Sequence, residues 1–305
     1  MYAVNVSSIQ DFMQCRFRWW CKWVMNREVK GSAPALEAGK LLHLIFEDHF
    51  QLGMPLYDAG TRRFDEYVCE CKNYEGRARK TANEAAEIID DMIGAFPLWE
   101  DKYTFDEILE VERPFEIVLP EYSKDILWRG RPDVIGTYQN RIWHRQNRGL
   151  ASGMNFGTYL NLAKRHYHEH LYPEYAVQQY KKKRKKYGGT IFNLVRKLKF
   201  HTNVGKKNEK KKTAAEMFFT MPMAINIADG LHKNVMQCMV QHVEEMRYRI
   251  SRWEAAQEIP APNEKMNGGY GGNAEDPFFL VLIGKAKLDD DTIFKEREDT
   301  YAIQE

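Results

Sequence analysis

The most constraining feature of this chain is a pair of apolar strands that carry polar side chains at fixed places. Gly130-Arg131-Pro132-Asp133 lies in the first strand, predicted over 127–138, and a Gln139-Asn140 turn separates it from a second strand over 142–147. That second strand ends in Gln146-Asn147-Arg148. Alternate residues of a strand point to one face, so we expect the side chains at 146 and 148 to lie together.

A helix predicted over 36–50 adds an imidazole to these polar groups. Gly39, His43 and Glu47 are spaced i, i+4 and i+8, which keeps them on roughly one face of that helix. Hydrolysis of a phosphodiester needs a metal that generates hydroxide and neutralises developing charge. Mg²⁺ prefers carboxylate oxygens, and Mn²⁺ accepts an imidazole more readily. A histidine, an aspartate and an acid-x-lysine pair would therefore describe a metal-dependent nuclease, but here the last pair reads Gln-x-Arg.

Three stretches of the chain resemble the RecB-type branch of the PD-(D/E)XK nuclease superfamily. The segment 8–17 resembles its N-terminal Ser-x-x-x-Phe-x-x-Cys-Pro helix, 39–43 its Gly-x-x-x-His helix, and 130–136 the strand that carries its aspartate. The resemblance covers residues 7–172. It implies an α/β fold with a PD-(D/E)XK nuclease-like core, in which helices flank a mixed central sheet. It also implies a metal-dependent DNA nuclease, a hydrolase that acts on phosphodiester bonds.

Carried over residue by residue, the resemblance assigns a site. His43 and Asp133 would be metal ligands, and Gln146 takes the place of an acidic ligand whose amide oxygen can still coordinate Mg²⁺ or Mn²⁺. Arg148 takes the place of the lysine, so that Asp133, Gln146 and Arg148 would be the catalytic residues. Possible supporting residues are Glu47, Glu112 and His144.

The Gln-x-Arg pair leaves alternatives open. Arginine cannot give up its proton, and loss of a positioned electrostatic group costs about 10² to 10³ in rate. One alternative is a catalytically impaired nuclease-fold protein that binds nucleic acid without cutting it, and another is a scaffold subunit of a larger complex. Some relatives hold an iron–sulfur cluster on one early and three late cysteines. Cys15 fits the early position, but 260–284 contains no cysteine, so we do not expect that cluster.

Positive charge is concentrated in one segment. Residues 181–212 contain fourteen Lys and Arg and one Glu, whereas the whole chain has a net charge of +2. This pattern is the electrostatic footprint expected for a phosphate backbone. We predict a basic helix over 175–187 and a basic hairpin between strands at 190–200 and 215–225. The resemblance adds Tyr159, so the predicted nucleic-acid-binding residues are Lys181, Lys182, Lys183, Arg184, Lys185, Lys186, Lys206, Lys207, Lys210, Lys211, Lys212 and Tyr159.

Composition sets the broad class. A chain of 305 residues with 44% hydrophobic and 29% charged residues is typical of globular proteins. No apolar run reaches the roughly 18 residues of a membrane span, and the first residues lack a secretion signal, so we expect a cytoplasmic protein with no membrane partner. The expected partners are single- or double-stranded DNA and possible proteins of a DNA-processing complex. Five cysteines indicate free thiols.

Periodicity predicts the remaining organisation. Further helices are expected over 7–30, 62–71, 82–96, 155–172 and 229–258. We predict one nuclease-like domain over 1–305, with a nuclease core at 7–180, the basic helix and hairpin at 181–225, and a C-terminal helix and loop region at 226–305.

Overall fold

A computed structural model describes residues 1–29, 33–151, 153–197, 214–223, 229–256, 287–289 and 294–296. Its strands are β1 (Tyr2–Asn5), β2 (Arg27–Val29), β3 (Glu107–Val111), β4 (Phe115–Leu119), β5 (Ser123–Gly130), β6 (Val134–Tyr138), β7 (Arg141–Leu150), β8 (Tyr187–Arg196), β9 (Phe218–Met223) and β10 (Phe294–Glu296). Its α-helices are α1 (Val6–Gln14), α2 (Arg16–Trp19), α3 (Pro34–Leu52), α4 (Leu56–Glu70), α5 (Gly76–Ile93), α6 (Phe156–Ala163), α7 (His168–Gln179), α8 (Ala214–Met217) and α9 (Asp229–Ala256).

The chain folds into two compact units, each built from separate segments. The first comprises 1–30, 115–130 and 228–305, and the second comprises 31–114 and 131–227. The predicted boundaries at 180 and 225 instead divide the chain into consecutive segments. One nuclease-like domain over 1–305 stays a prediction.

The first unit contains two small sheets. β1 pairs in parallel with β5, which pairs antiparallel with β4, and β2 pairs antiparallel with β10. The predicted continuous helix over 7–30 is wrong, because Cys15 has an extended backbone (φ −157°) that ends α1. The Cys15 sulfur accepts the Arg18 N–H and so caps α2. A π turn over Trp20–Val24 then leads into β2.

The second unit is built on a mixed sheet of five strands in the order β3-β6-β7-β8-β9. β7 and β8 are parallel, and the other neighbours are antiparallel. Gln139 and Asn140 both adopt positive φ (51° and 58°), as a two-residue hairpin turn requires. The prediction of an α/β fold with helices flanking a mixed central sheet is therefore confirmed. The strands predicted at 190–200 and 215–225 are present as the antiparallel neighbours β8 and β9, whereas the basic residues predicted between them, 206–212, lie outside the described residues.

Helices cover both faces of this sheet. α3 begins with Pro34 at its first turn and ends at Gly53, whose φ of +67° suits a residue without Cβ. Its Leu42, Ile45 and Phe46 are fully buried against α4, α5 and β7. α7 packs against β7 and β8, and because adjacent strand residues point to opposite faces, it lies on the other side from α3.

Arg145 fixes a loop to the α3 face of the sheet. Its fully buried guanidinium pairs with Asp101 at 2.9 and 3.0 Å and donates to the Tyr103 carbonyl. It also lies 5.0 Å from the ring centres of Phe50 and Phe105. This charge is compensated by hydrogen bonds and stacking, as a buried cation requires.

The region 155–187 differs most from prediction. The expected helix over 155–172 is two helices, α6 and α7, and α7 continues past Pro173 instead of ending before it. Burial of the α7 face offsets the hydrogen bond that proline removes. The predicted basic helix over 175–187 is wrong: α7 ends at Gln179, a 3₁₀ turn spans Lys181–Lys183, and Arg184 is left-handed (φ 54°). Like charges at i, i+4 oppose a helix there.

The C-terminal part is described over fewer residues. The strand predicted over 215–225 is present as β9, preceded by the single turn α8. α9 matches the helix predicted over 229–258 and buries Met236, Met239, Val243 and Met246 along one side. In the described part of the chain, no helix is both long and apolar enough to span a bilayer.

Candidate metal centre

One imidazole and two carboxyl groups meet in the second unit. His43 Nδ1 lies 3.6 Å from Glu112 Oε1 and 3.6 Å from Asp133 Oδ2. One ligand atom from each residue lies within 4.8 Å of the other two. No second such group of three His, Cys, Asp or Glu side chains occurs among the described residues. The structure thus unites two predicted ligands with Glu112, which was predicted only as a possible supporting residue.

Backbone pairing between β3 and β6 places the two carboxyl groups. Asp133 directly precedes β6, and Glu112 directly follows β3. The Glu112 N–H donates to the Asp133 carbonyl at 2.9 Å, which extends the pairing of Val111 with Val134. Glu112 has a φ of +46°, a conformation that costs a non-glycine residue of order 1 kcal/mol. Glu112 therefore keeps an unfavourable backbone conformation at the position that directs its side chain towards Asp133.

The Asp133 carboxylate is held by a backbone N–H of β7. The Asn147 N–H on β7 donates to Asp133 Oδ2 at 2.6 Å. Asp133 is nearly buried, whereas the His43 side chain is 30% exposed and leaves the cluster open to solvent. The backbone bond ties the first predicted strand to the Gln-x-Arg triplet of the second.

Arg131 lies at the exposed edge of the cluster. Its Nε is 3.1 Å from Glu112 Oε2, and its side chain is 53% exposed. The Tyr172 hydroxyl donates to the Arg131 carbonyl at 3.1 Å, which anchors its backbone. Burial raises the pKa of Glu112, with the Asp133 charge acting in the same direction and His43 opposing both. Arg131 is a second cation beside Glu112, and its charge favours the ionised form of that carboxyl group.

The donor set fits a hard divalent cation. Ligand atoms around one such ion at about 2.1 Å are separated by about 3 to 4 Å, which the cluster satisfies within small side-chain adjustments. Two carboxylates supply the oxygen ligands that Mg²⁺ prefers, and the imidazole suits Mn²⁺. Residues 43, 112 and 133 could thus hold a metal ion. Their roles as ligands stay predictions.

Gln146 and Arg148 lie on β7 beside this cluster, as the alternation predicted. Arg148 Nε donates to Gln146 Oε1 at 3.2 Å. Burial opposes the charge of Arg148, but the Asp133 carboxylate and nearby Tyr hydroxyls outweigh it and raise its pKa, so the guanidinium stays charged. Gln146 is 1% exposed, and its amide nitrogen donates to Glu169. Both ends of the Gln146 amide are therefore engaged with protein groups.

Glu169 is the functional candidate that the sequence did not reveal. It lies on α7, fully buried, and accepts from Gln146 Nε2 and from Thr190 Oγ1 at 2.5 Å. Burial raises its pKa to about 8. No local pattern in the sequence marks Glu169, and its neighbour His170 is also fully buried.

His144 shares the face of Gln146 but lies deeper. Its ring is fully buried between Tyr172 and Tyr187, and its Nδ1 pairs with the Tyr187 hydroxyl. Burial, assisted by the Arg148 charge, lowers its pKa to about 3, so the imidazole is neutral at neutral pH. It contacts Glu169 at 3.6 Å and is not part of the three-residue cluster.

Two further predicted residues fall on either side of the site. Glu47 lies one turn beyond His43 on α3, half-buried, and does not join the three-residue cluster. Tyr159 on α6 lies beside Arg148, where burial raises the pKa of its hydroxyl and the guanidinium opposes that rise. Its ring also packs against His166 and Phe192. Tyr159 thus borders the Gln-x-Arg pair.

The basic segment 181–186 lies at the other end of the sheet. Five of its six side chains are exposed, and Lys183 pairs with Glu107 at 2.8 Å. The Ile142 N–H donates to the Lys186 carbonyl, which places the segment at the start of β7. A strand rises about 3.3 Å per residue, so Ile142 and Asn147 are about 17 Å apart. The predicted contacts at 206–212 lie outside the described residues.

Comparison with known families agrees with this geometry. The model of a family described as the PD-(D/E)XK nuclease superfamily matches residues 3–246. The chain belongs to the PD-(D/E)XK nuclease superfamily. No curated protein matches it. Membership indicates a metal-dependent nuclease that hydrolyses phosphodiester bonds of nucleic acid, and it confirms the predicted superfamily.

The assignment of Gln146 and Arg148 to the superfamily's acid-x-lysine motif stays a prediction. On β7, Gln146 donates to a buried acid, Glu169, and accepts from Arg148. The RecB-type branch stays a prediction, and the late region relevant to an iron–sulfur cluster, 260–284, lies outside the described residues.

Proposed function

We propose that this protein is a DNA nuclease of RecB type whose divalent metal is held by His43, Glu112 and Asp133. The observation that carries the proposal is the convergence of these three side chains within 4.8 Å, next to the β7 residues of the third motif. Mg²⁺ or Mn²⁺ is the proposed cofactor, because the donors are two carboxylates and one imidazole. Such an ion generates hydroxide and neutralises charge on the transferring phosphate.

The residues around the cluster stabilise phosphate charge and orient the ligand side chains. The Arg148 guanidinium stays protonated, so we assign it to stabilising phosphate charge and not to proton transfer. The Asn147 N–H orients the Asp133 carboxylate by a bond of 2.6 Å. Gln146 holds Arg148 through its amide oxygen at 3.2 Å. In this assignment Asp133 and Arg148 are the catalytic residues predicted from the sequence, and Gln146 positions Arg148.

The basic segment 181–186 supports a substrate longer than one nucleotide. Its exposed charges lie about 17 Å along β7 from Asn147, which corresponds to about five nucleotide steps at 3.4 Å each. We propose that the segment contacts the DNA backbone away from the scissile phosphate. Contacts of this kind position the substrate without reading its sequence.

The test is cleavage of single- and double-stranded DNA with Mg²⁺ or Mn²⁺ by the wild type and by Asp133→Asn. We expect cleavage that chelation abolishes and that Asp133→Asn lowers by at least about 10³-fold, since this change removes an anionic ligand. The matched control is Asp106→Asn, an exposed carboxyl group near the start of β3. Full activity in Asp133→Asn would refute the site.

A nuclease-fold protein that binds DNA without cutting it is the second candidate. Both ends of the Gln146 amide bond to protein groups, which leaves two carboxylates and one imidazole as the proposed ligands. This candidate predicts salt-sensitive DNA binding without cleavage in either metal. Neutralising residues 181–186 would then weaken binding, whereas Asp133→Asn would leave it unchanged. The scaffold alternative predicts neither activity and stays untested.

A further inference from the structure

A buried chain of hydrogen bonds connects α7 and β8 to the third motif. Arg148 Nε donates to Gln146 Oε1 at 3.2 Å, and Gln146 Nε2 donates to one oxygen of Glu169. Thr190 Oγ1 donates to the other oxygen of Glu169 at 2.5 Å. Gln146, Glu169 and Thr190 are each at most 1% exposed. Water therefore does not compete for these groups, and each one depends on its protein partner.

The direction of these bonds matters. An amide offers one acceptor end and one donor end, whereas a carboxyl group can accept at both oxygens and can also carry a proton on one of them. If the amide and the acid traded places, the acid at 146 would accept from Arg148 and from the new amide, and the amide oxygen at 169 would accept from Thr190. All three bonds would be retained, with the one between positions 146 and 169 reversed. Leucine at 169 would instead leave the Gln146 amide nitrogen and the Thr190 hydroxyl without their acceptor.

We propose that Gln146 and Glu169 are an exchanged acid–amide pair, in which the carboxyl group expected on β7 stands on α7 and positions Arg148 through Gln146. The superfamily's acid-x-lysine strand would put an acid at 146, and here the acid lies one hydrogen bond behind it. Glu169 is thus a positioning residue. This inference rests on the proposed function only for the role of Arg148 in cleavage.

The contacts of Glu169 separate it from the proposed ligands. It is absent from the cluster of residues 43, 112 and 133, and its two oxygens are directed to Gln146 and Thr190. The adjacent His144 Nε2 lies 3.6 Å from the second oxygen. Glu169 therefore reaches the site through the Gln146 amide, and its loss should alter the orientation of Arg148 more than the cluster itself.

The experiment compares Glu169→Leu with the exchange of the two side chains, Gln146→Glu combined with Glu169→Gln. Glu169→Leu removes the acceptor of Gln146 Nε2 and of Thr190, whereas the exchange retains all three bonds. We expect Glu169→Leu to lower kcat by about tenfold or more with little change in KM, and the exchanged variant to keep kcat within about threefold of wild type. Gln178→Glu, an exposed amide-to-acid change on α7, is the control.

A second measurement does not need cleavage. In protein labelled with ¹⁵N at arginine, the Arg148 Nε–H signal is assigned by its loss in Arg148→Lys. We expect Glu169→Leu to speed the exchange of this proton with water by about tenfold, and the exchanged variant to keep the protection of the wild type. If Glu169→Leu fails to fold, the comparison of the exchanged variant with the wild type is sufficient, since lost protection in that variant overturns the pairing.

The outcomes are distinct. A kcat and an Arg148 Nε–H protection that fall in Glu169→Leu and are kept in the exchanged variant support the pair. Wild-type kcat in Glu169→Leu, in a protein that cleaves DNA, overturns the positioning role. A wild type that never cleaves ends the proposed function, and the Arg148 Nε–H exchange then decides the pair by itself. An exchanged variant no better protected than Glu169→Leu overturns the inference.

Discussion

Replacing Arg131 by alanine should move metal binding and DNA binding in opposite directions. Arg131 Nε lies 3.1 Å from Glu112 Oε2, while the other Glu112 oxygen faces His43. The positive charge of Arg131 weakens the binding of a divalent ion at the cluster. Its half-exposed guanidinium is also placed to contact a substrate phosphate. We therefore expect Arg131→Ala to bind Mn²⁺ more tightly in the absence of DNA and to bind DNA more weakly.

The size of the effect follows from the geometry. Two unit charges 3.1 Å apart interact by about 5 kcal/mol at an effective dielectric constant of 20 and by about 1 kcal/mol in bulk water. Because the Arg131 side chain is half-exposed, solvent screening favours the lower figure, in line with measured surface pairs. About 1 kcal/mol corresponds to a roughly fivefold lower dissociation constant for Mn²⁺.

The assay is calorimetric titration of metal-free protein with Mn²⁺, together with fluorescence anisotropy of labelled DNA. Arg113→Ala is the matched control, because the Arg113 guanidinium is also exposed but pairs with Glu110 at 3.6 Å. Unchanged or weaker Mn²⁺ binding in Arg131→Ala would refute the reasoning. An equal gain in Arg113→Ala would assign the effect to net charge instead.

Three further predictions concern pH, stability and DNA contact. Burial raises the pKa of Glu169 to about 8, so the folded protein binds an extra proton from about pH 4.5 to 8, and the free energy of unfolding should fall as pH rises through that window. Urea unfolding of Glu169→Gln should show a flatter pH profile, and an unchanged profile contradicts this. Asp101→Ala leaves the buried Arg145 guanidinium without its carboxylate and should cost about 3 kcal/mol in urea unfolding, whereas the exposed Asp106→Ala should cost under about 0.5 kcal/mol. A comparable cost for both would disprove the role of this pair. Neutralising 181–186 should reduce the salt dependence of DNA binding by about one unit per lost phosphate contact, and an equal number of changed lysines elsewhere should not.

Local pattern predicted the second of the two apolar strands and the His43 helix, but not the first strand. The Gln139-Asn140 turn and the spacing around His43 predicted β7 and α3, whereas the strand predicted over 127–138 is broken at 131–133 into β5 and β6, which belong to different sheets. These signals are local because turn residues and periodicity act within a few positions. Where local signals conflicted, prediction failed: Pro173 lies inside α7, and the lysine run forms a turn leading to β8.

Glu112 shows what strand register adds. The sequence marked it only as one of several acids near the sheet, because its alternation with neighbouring residues is irregular. Its place beside Asp133 depends on the pairing of β3 with β6 and on a left-handed backbone at Glu112 itself. Long-range pairing fixes both, and neither leaves a trace in the local pattern.

The sequence alone indicated the superfamily, proposed His43 and Asp133 as metal ligands, and put Gln146 and Arg148 where the resemblance expects an acid and a lysine. These depend on residue identity and short-range spacing. Only the tertiary structure decided which side chains surround Gln146 and Arg148. It brought Glu169 on α7, 23 residues further along the chain, into hydrogen-bond contact with Gln146. The physical reason is burial: a carboxyl group removed from water must find its partners inside the protein, and the packing of α7 on the sheet selects them.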